Sequence, residues 1–192
     1  MSHNILIVGV GGQGSLLASR ILGTLYRNQG MEVKVSEVHG MSQRGGSVIT
    51  YVRAGEEIAS PIIPVGEADL IIAFEQLEAL RWVHYLKPGG AVVYSTQEIM
   101  PMPVITGAVK YPEGIAEKIA KTGAKSVAID ALSIAVEAGN VKAANVVLMG
   151  AASKIIGFDE SAWQQALTET VPPKFLELNR KAFELGEAAK AE

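Results

Sequence analysis

The chain contains no cysteine. That absence removes thiolate-held iron–sulfur clusters, cysteine-bound zinc, disulfides and a thiol nucleophile from whatever this chain does by itself. Charge of either sign is also in short supply: 17 Lys and Arg stand against 20 Asp and Glu, for a formal net charge of −3. Without a cluster of cations the chain is a poor match for nucleic acid or an anionic membrane surface. It has no apolar run of about twenty residues, and Met1-Ser2-His3-Asn4 lacks the basic stretch of a secretory signal. The expected location is the cytoplasm. His3, His39 and His84 lack ligand spacing, so no metal site is expected. No G-x-S-x-G turn marks a nucleophilic serine, and no acid–base pair emerges. No catalytic residue is assigned.

What remains is ordinary globular material, 192 residues of which 48% are hydrophobic and 20 are glycine. One domain over 1–192 is expected, long enough to bury a core without staples. Residues 4–10, "NILIVGV", read as a strand buried on both faces. Leu16, Leu17, Ile21, Leu25 and Tyr26 then recur at helical spacing up to a stop at Gly30. With the strand at 32–37 this makes a βαβ unit. Residues 47–64 break the rhythm and read as a β-hairpin or edge excursion. Strands at 68–75, 91–96 and 126–130 alternate with helices, and a tight K-P-G-G turn at 87–90 precedes the second of them. From Val141 onward only helices are expected. The first is apolar all round and packed closely on its neighbours; Asp159 caps the next, and Pro172-Pro173 opens the last. The fold class is α/β: a Rossmann-like three-layer sandwich with a mostly parallel sheet, a hairpin excursion and a helical C-terminal third.

"GVGGQG" sets Gly9, Gly11 and Gly14 in the G-x-G-x-x-G pattern between a strand and a helix, with Gly12 and Gln13 inside the turn. Such a turn lets backbone approach a ligand and aims helix N–H groups at an anion. A dinucleotide also needs an acid ending the second strand; Glu37 holds that place but comes late and leads into an unusual loop. Three readings stay open: an anion site, a dinucleotide site, or a tight turn with Gln13 filling the anion space. K-P-G-G with a glycine turn also occurs in enzymes that bind S-adenosylmethionine, although it is good turn chemistry on its own.

The loop "EVHGMSQRGGS" gathers Glu37, His39, Gln43, Arg44, Gly45 and Gly46. Loops after the first and second parallel strands both leave the carboxyl edge of the sheet, where such folds bind ligands. The two loops should therefore flank one crevice. Arg44 could clamp a phosphate or carboxylate, His39 and Gln43 could hydrogen-bond, and Gly45-Gly46 could present N–H groups. Taken singly, each also reads as an ordinary loop residue.

The colinear set "GVGGQG", "VSEVHGMSQRGGSV", "SPIIPVGEADLIIAFE", "EALR", "LKPGG", "AANVVLMGA" and "VPPKFLELNRKAF" covers almost the whole chain. It resembles the gamma-type subunit or domain of the 2-oxoacid:ferredoxin oxidoreductases, most nearly the indolepyruvate branch. The resemblance implies a heteromer that converts an aryl pyruvate, coenzyme A and oxidised ferredoxin into an aryl-acetyl-CoA, carbon dioxide and reduced ferredoxin. It implies that thiamine diphosphate, Mg and 4Fe-4S clusters sit mainly in a large companion subunit, and that this chain is inactive alone. A chain without cysteine agrees. The alternative from the residues is a free-standing NAD(P)- or S-adenosylmethionine-binding enzyme.

Overall fold

In a computed structural model, which describes residues 2–37 and 45–191, a six-stranded mixed sheet runs through the molecule in the order β2-β3-β1-β4-β5-β6. The strands are β1 (His3–Val10), β2 (Glu32–Glu37), β3 (Ser47–Gly55), β4 (Ala68–Ala73), β5 (Leu86–Ser95) and β6 (Lys125–Ile129). β1, β4, β5 and β6 are parallel, and β3 is antiparallel to both of its neighbours, β1 and β2. Successive side chains point to opposite faces, so each central strand feeds two cores. Ile5, Ile7, Leu70, Ile72, Ala91 and Val93 lie on one face; Leu6, Val8, Ile71, Ala73, Val92 and Tyr94 lie on the other.

The first face is covered by α1 (Ser15–Asn28), α5 (Ala131–Ala138), α6 (Ala144–Ile156), α7 (Glu160–Thr170) and α8 (Leu176–Ala188). The second is covered by α2 (Gln76–Trp82) and α4 (Ile115–Ala120), with a short α3 (Met102–Ile105) carried on an excursion between β5 and α4. The three-layer α/β architecture is as the sequence predicts, and so is the helical C-terminal third. α6 is buried at every position from Asn145 to Ser153. Asp159 caps α7 by accepting from the Ala162 N–H at 2.8 Å. Among the described residues no helix is long and apolar enough to cross a membrane.

Three local expectations change. Residues 47–55 form no hairpin of their own and no edge: β3 is an interior strand between β1 and β2. Its polar positions find partners there. The Arg53 guanidinium donates to Asn4 Oδ1 at 3.0 Å and to the carbonyls of Ser60 and Ile62. Alternation that looks half-solvated is thereby satisfied inside the sheet. Second, β1 and β2 run in the same direction but β3 lies between them, so the first βαβ unit is split. Third, K-P-G-G lies within β5 and not ahead of it: Ala68 pairs with Leu86 and Leu70 with Ala91, so residues 87–90 loop out of register.

Candidate functional site

At the end of β1 the chain turns through Gly12 (φ +101°) and Gly14 (φ +92°), conformations only glycine adopts without strain. A Cβ on Gly9 would sit 2.8 Å from Gln13 Oε1 and 3.1 Å from Phe74 Cβ. A Cβ on Gly14 would overlap the Asn145 side chain, whose Nδ2 donates to the Gly14 carbonyl at 3.2 Å. The third glycine therefore makes room for α6, where the pattern leads one to expect close packing on a strand.

Gln13 is folded back over the sheet edge. Its Oε1 accepts from the Val10 N–H at 2.7 Å, and its Nε2 donates to the Phe74 carbonyl at 2.9 Å and to Gln97 Oε1 at 3.1 Å. One amide thus ties the carboxyl ends of β1 and β4 to the segment after β5. It does so where α1 and α2 leave for opposite faces, the crevice in which open α/β sheets usually hold ligands. Beside it lies an open cleft of about 450 Å³ lined by Gly12, Gly14, Gln97, Lys142 and Asn145 among others. α1 begins there with no side-chain cap and no acid in its first turn, so its free N–H groups and the exposed Lys142 make the cleft compatible with an anion. Sequence reading passes over Gln97, Lys142 and Asn145. They arrive from 84 and 131 positions away along the chain in the contacts of Gln97 and Asn145, and nothing local marks them.

The second loop meets the first. The Gly11 N–H donates to the Gly46 carbonyl at 2.8 Å, and Gly45 has a φ of +95°. Gly45, Gly46 and Val10 line a smaller cleft of about 240 Å³ against α2 and the α3 excursion. His39, Gln43 and Arg44 lie outside the described residues. Glu37 is not brought to the glycine turn. Its Oε1 accepts from Ser19 Oγ at 2.7 Å, and it lines a groove of about 550 Å³ on the outer side of α1 with Arg20 and Arg27. The intervening β3 is the cause, since each strand adds about 4.8 Å between neighbours.

Two buried carboxylates escape sequence reading, Glu75 because it reads as the last residue of the strand at 68–75, which in fact ends at Ala73, and Glu78 because it sits in an amphipathic stretch. Glu75 is 1% exposed and Glu78 is 4% exposed. Glu75 caps α2 by accepting from the Glu78 N–H at 2.9 Å; its other oxygen accepts from the Ile99 N–H at 3.2 Å and from the Tyr111 hydroxyl. Burial raises the Glu75 pKa above its ordinary 4.5, and those hydrogen bonds oppose the rise. Burial, then the carboxylate, also push the Tyr111 hydroxyl up. Glu78 receives Ser47 Oγ, Trp82 Nε1 at 3.2 Å and Arg81 Nε at 3.1 Å. The one signal for Glu75 is its position: an acid directly after a buried strand and three residues before another acid, which is N-cap spacing.

A family profile described as Pyruvate ferredoxin/flavodoxin oxidoreductase matches residues 4–189. The chain belongs to the pyruvate ferredoxin/flavodoxin oxidoreductase family. Indolepyruvate oxidoreductase subunit IorB of Thermococcus kodakarensis is 46% identical over 195 aligned residues, covering 99% of this chain and 96% of that one. The gamma subunit of a keto/oxoacid ferredoxin oxidoreductase from Geobacter sulfurreducens PCA superposes with a TM-score of 0.73 at 26% identity, over 97% of this chain and 94% of that one. Ketoisovalerate oxidoreductase subunit VorA of Methanothermobacter marburgensis is 28% identical over 95% of this chain but only 35% of its own length. The family thus uses this unit both as a separate chain and as roughly a third of a longer one. Among the described residues of this family member no three His, Cys, Asp or Glu side chains are grouped to hold a metal ion.

Proposed function

We propose that the chain is the smaller, accessory subunit of an indolepyruvate:ferredoxin oxidoreductase, acting with a large subunit that carries thiamine diphosphate, magnesium and the iron–sulfur clusters. The observation that carries this reading is the near full-length relationship to an IorB subunit at 46% identity. The composition supports it: a chain with no cysteine offers no thiolate to a cluster. Bound in the large subunit, thiamine diphosphate supplies carbanion stabilisation for decarboxylation, and the clusters take electrons singly. What this chain contributes is a wall at the carboxyl edge of its sheet, where Gly11 and Gly46 join the two glycine loops.

Coenzyme A is the anion we assign to that wall. Gly12, Gly14 and the exposed Lys142 line one open cleft beside the start of α1, a helix with no side-chain cap. An exposed cation on a phosphate contributes up to about 1 kcal/mol. Lys142→Ala should therefore raise the KM for coenzyme A roughly fivefold with kcat held. An unchanged KM would leave the loops a purely packing role, a reading favoured by the engagement of Gln13 within its own fold.

The reading is tested by anaerobic turnover of indolepyruvate with coenzyme A and a ferredoxin acceptor, using this chain alone, the large subunit alone and the two co-expressed. Activity confined to the co-expressed sample is expected. Equal activity of the large subunit alone would overturn the obligatory role.

A further inference from the structure

Between β5 and α4 the chain leaves the fold. Residues 100–109, "MPMPVITGAV", contain no charged side chain, yet Met100 is 42% exposed, Met102 66%, Ile105 64% and Val109 56%. None of the residues of α3 is buried. A solvent-facing excursion is ordinarily polar, and a contiguous apolar projection marks an interaction surface.

This finger is built to hold its shape. Its backbone is closed on itself: the Val104 and Ile105 N–H groups donate to the Pro101 carbonyl, Thr106 to Met102, and Ala108 to Pro103. Both of its ends are held by one buried carboxylate, since Glu75 receives the Ile99 N–H on one side and the Tyr111 hydroxyl on the other. Gln97, at the base, is tied to Gln13 and to the Gln76 N–H. Pro101 and Pro103 limit the entropy a docking event must remove. The uncharged tip is flanked by exposed Glu98 and Lys110, the arrangement of an apolar interface centre with a polar rim.

We infer that the 100–109 finger docks into an apolar groove of the large companion subunit, and that this contact seats the carboxyl edge of the sheet over the partner. The inference rests on the reading under Proposed function. Its occupant is named by two observations. In VorA this unit spans only 35% of the polypeptide, so in that relative the unit is covalently joined to further chain of its own oxidoreductase subunit, the kind of partner the finger would meet here. In the present chain, Pro101 and Met102 share a cleft with Val10, Gly46 and Ser47. A partner on the finger is thereby brought against the glycine loops, where the assigned wall lies.

The test uses the full chain co-expressed with the large thiamine diphosphate subunit of the same organism's indolepyruvate oxidoreductase. Binding is followed by size exclusion and by titration of purified subunits. Met102→Asp/Ile105→Asp should weaken association roughly 100-fold or more, as loss of central apolar anchors does. It should leave the melting temperature of the isolated chain unchanged, because neither side chain is part of its core. Val136→Asp, equally exposed at 63% on α5, should bind as wild type. Normal binding by the double variant would overturn the docking site while leaving the subunit reading intact. So would an isolated chain that dimerises through the finger while its binding to the large subunit survives the substitutions. Failure of the wild-type chain to bind the large subunit would instead overturn the reading on which the inference rests.

Discussion

Gln13 does at the residue scale what an incoming ligand does in many sheets of this kind: it joins the ends of separate strands. Removing it in Gln13→Ala leaves the Val10 N–H and the Phe74 carbonyl without their partner, and part-buried hydrogen bonds of this sort are each worth about 1 kcal/mol. The variant should fold but lose about 1–3 kcal/mol in urea denaturation; unchanged stability with reduced turnover of the complex would make Gln13 a ligand-facing residue instead. "GVGGQG" admits Gln13 filling its own turn as one of three readings, but it does not name the distant partners, because Phe74 and Gln97 lie 61 and 84 positions away. Glu75 makes a second prediction, and its sign is opposite to that of Asp130 and Asp159. Asp130 is held below its usual range by Ser133, first through its hydroxyl, and such groups add stability as pH rises past their unfolded value. Glu75 is raised above 4.5 by burial, so its contribution is full below 4.5 and is lost as pH rises through the raised value. Glu75→Gln stays neutral throughout. The melting-temperature difference, wild type minus variant, should therefore fall as pH climbs from 4.5 toward neutrality, and a flat difference would refute the assignment.

At the scale of elements, α6 and α8 cross backbone against backbone. A Cβ on Gly150 would overlap the Phe183 carbonyl, and one on Gly186 would overlap the Val147 carbonyl. Each helix thus presents a glycine to the other's backbone, which cannot yield as a side chain does. Gly150→Ala should cost about 3 kcal/mol or prevent folding. Gly23, in α1, is a glycine of the opposite kind: the nearest atom to an added Cβ is Val33 Cγ1 at 4.0 Å. Gly23→Ala should stabilise the chain by up to about 1 kcal/mol through helix propensity alone. Chemical denaturation of both variants decides the matter, and similar losses would refute it. The sequence makes α6 a central, closely packed helix from its Ala and Gly content, and so it is. It does not separate Gly150 from Gly23, because the difference lies in what crosses above them. The same limit explains β3. Its alternating pattern is correct for a strand, but whether such a strand lies at an edge or in the interior depends on pairing partners the pattern does not name.

At the scale of the whole molecule, strand order decides which ligands the edge can take. The architecture was legible because strands buried on both faces and an all-apolar helix leave few alternatives. The meeting of Gly11 and Gly46 was not: it comes from β3 pairing antiparallel with β1, Val10 against Ser47, and not from two parallel strands ending side by side. Gly12 and Gly14 line one cleft and Gly45 and Gly46 another, where the sequence led one to expect a single crevice. The place of Glu37 was not legible either, because it depends on β3 entering between β1 and β2. A dinucleotide bridges a glycine turn and an acid on adjacent strands. Here those strands are two spacings apart, roughly 10 Å, the acid is engaged by Ser19, and its groove is not the glycine cleft. A ligand at about 100 times its Kd adds roughly 2.7 kcal/mol to stability, equivalent to about 5–10 °C for a chain of this size. NADH, NADPH and S-adenosylmethionine should each shift the melting temperature of the isolated chain by less than about 1 °C. A saturable rise with any of them would restore the free-standing enzyme. That rise would have to persist in Glu37→Ala if the glycine turn alone held the ligand, and vanish there if the ribose reached across β3.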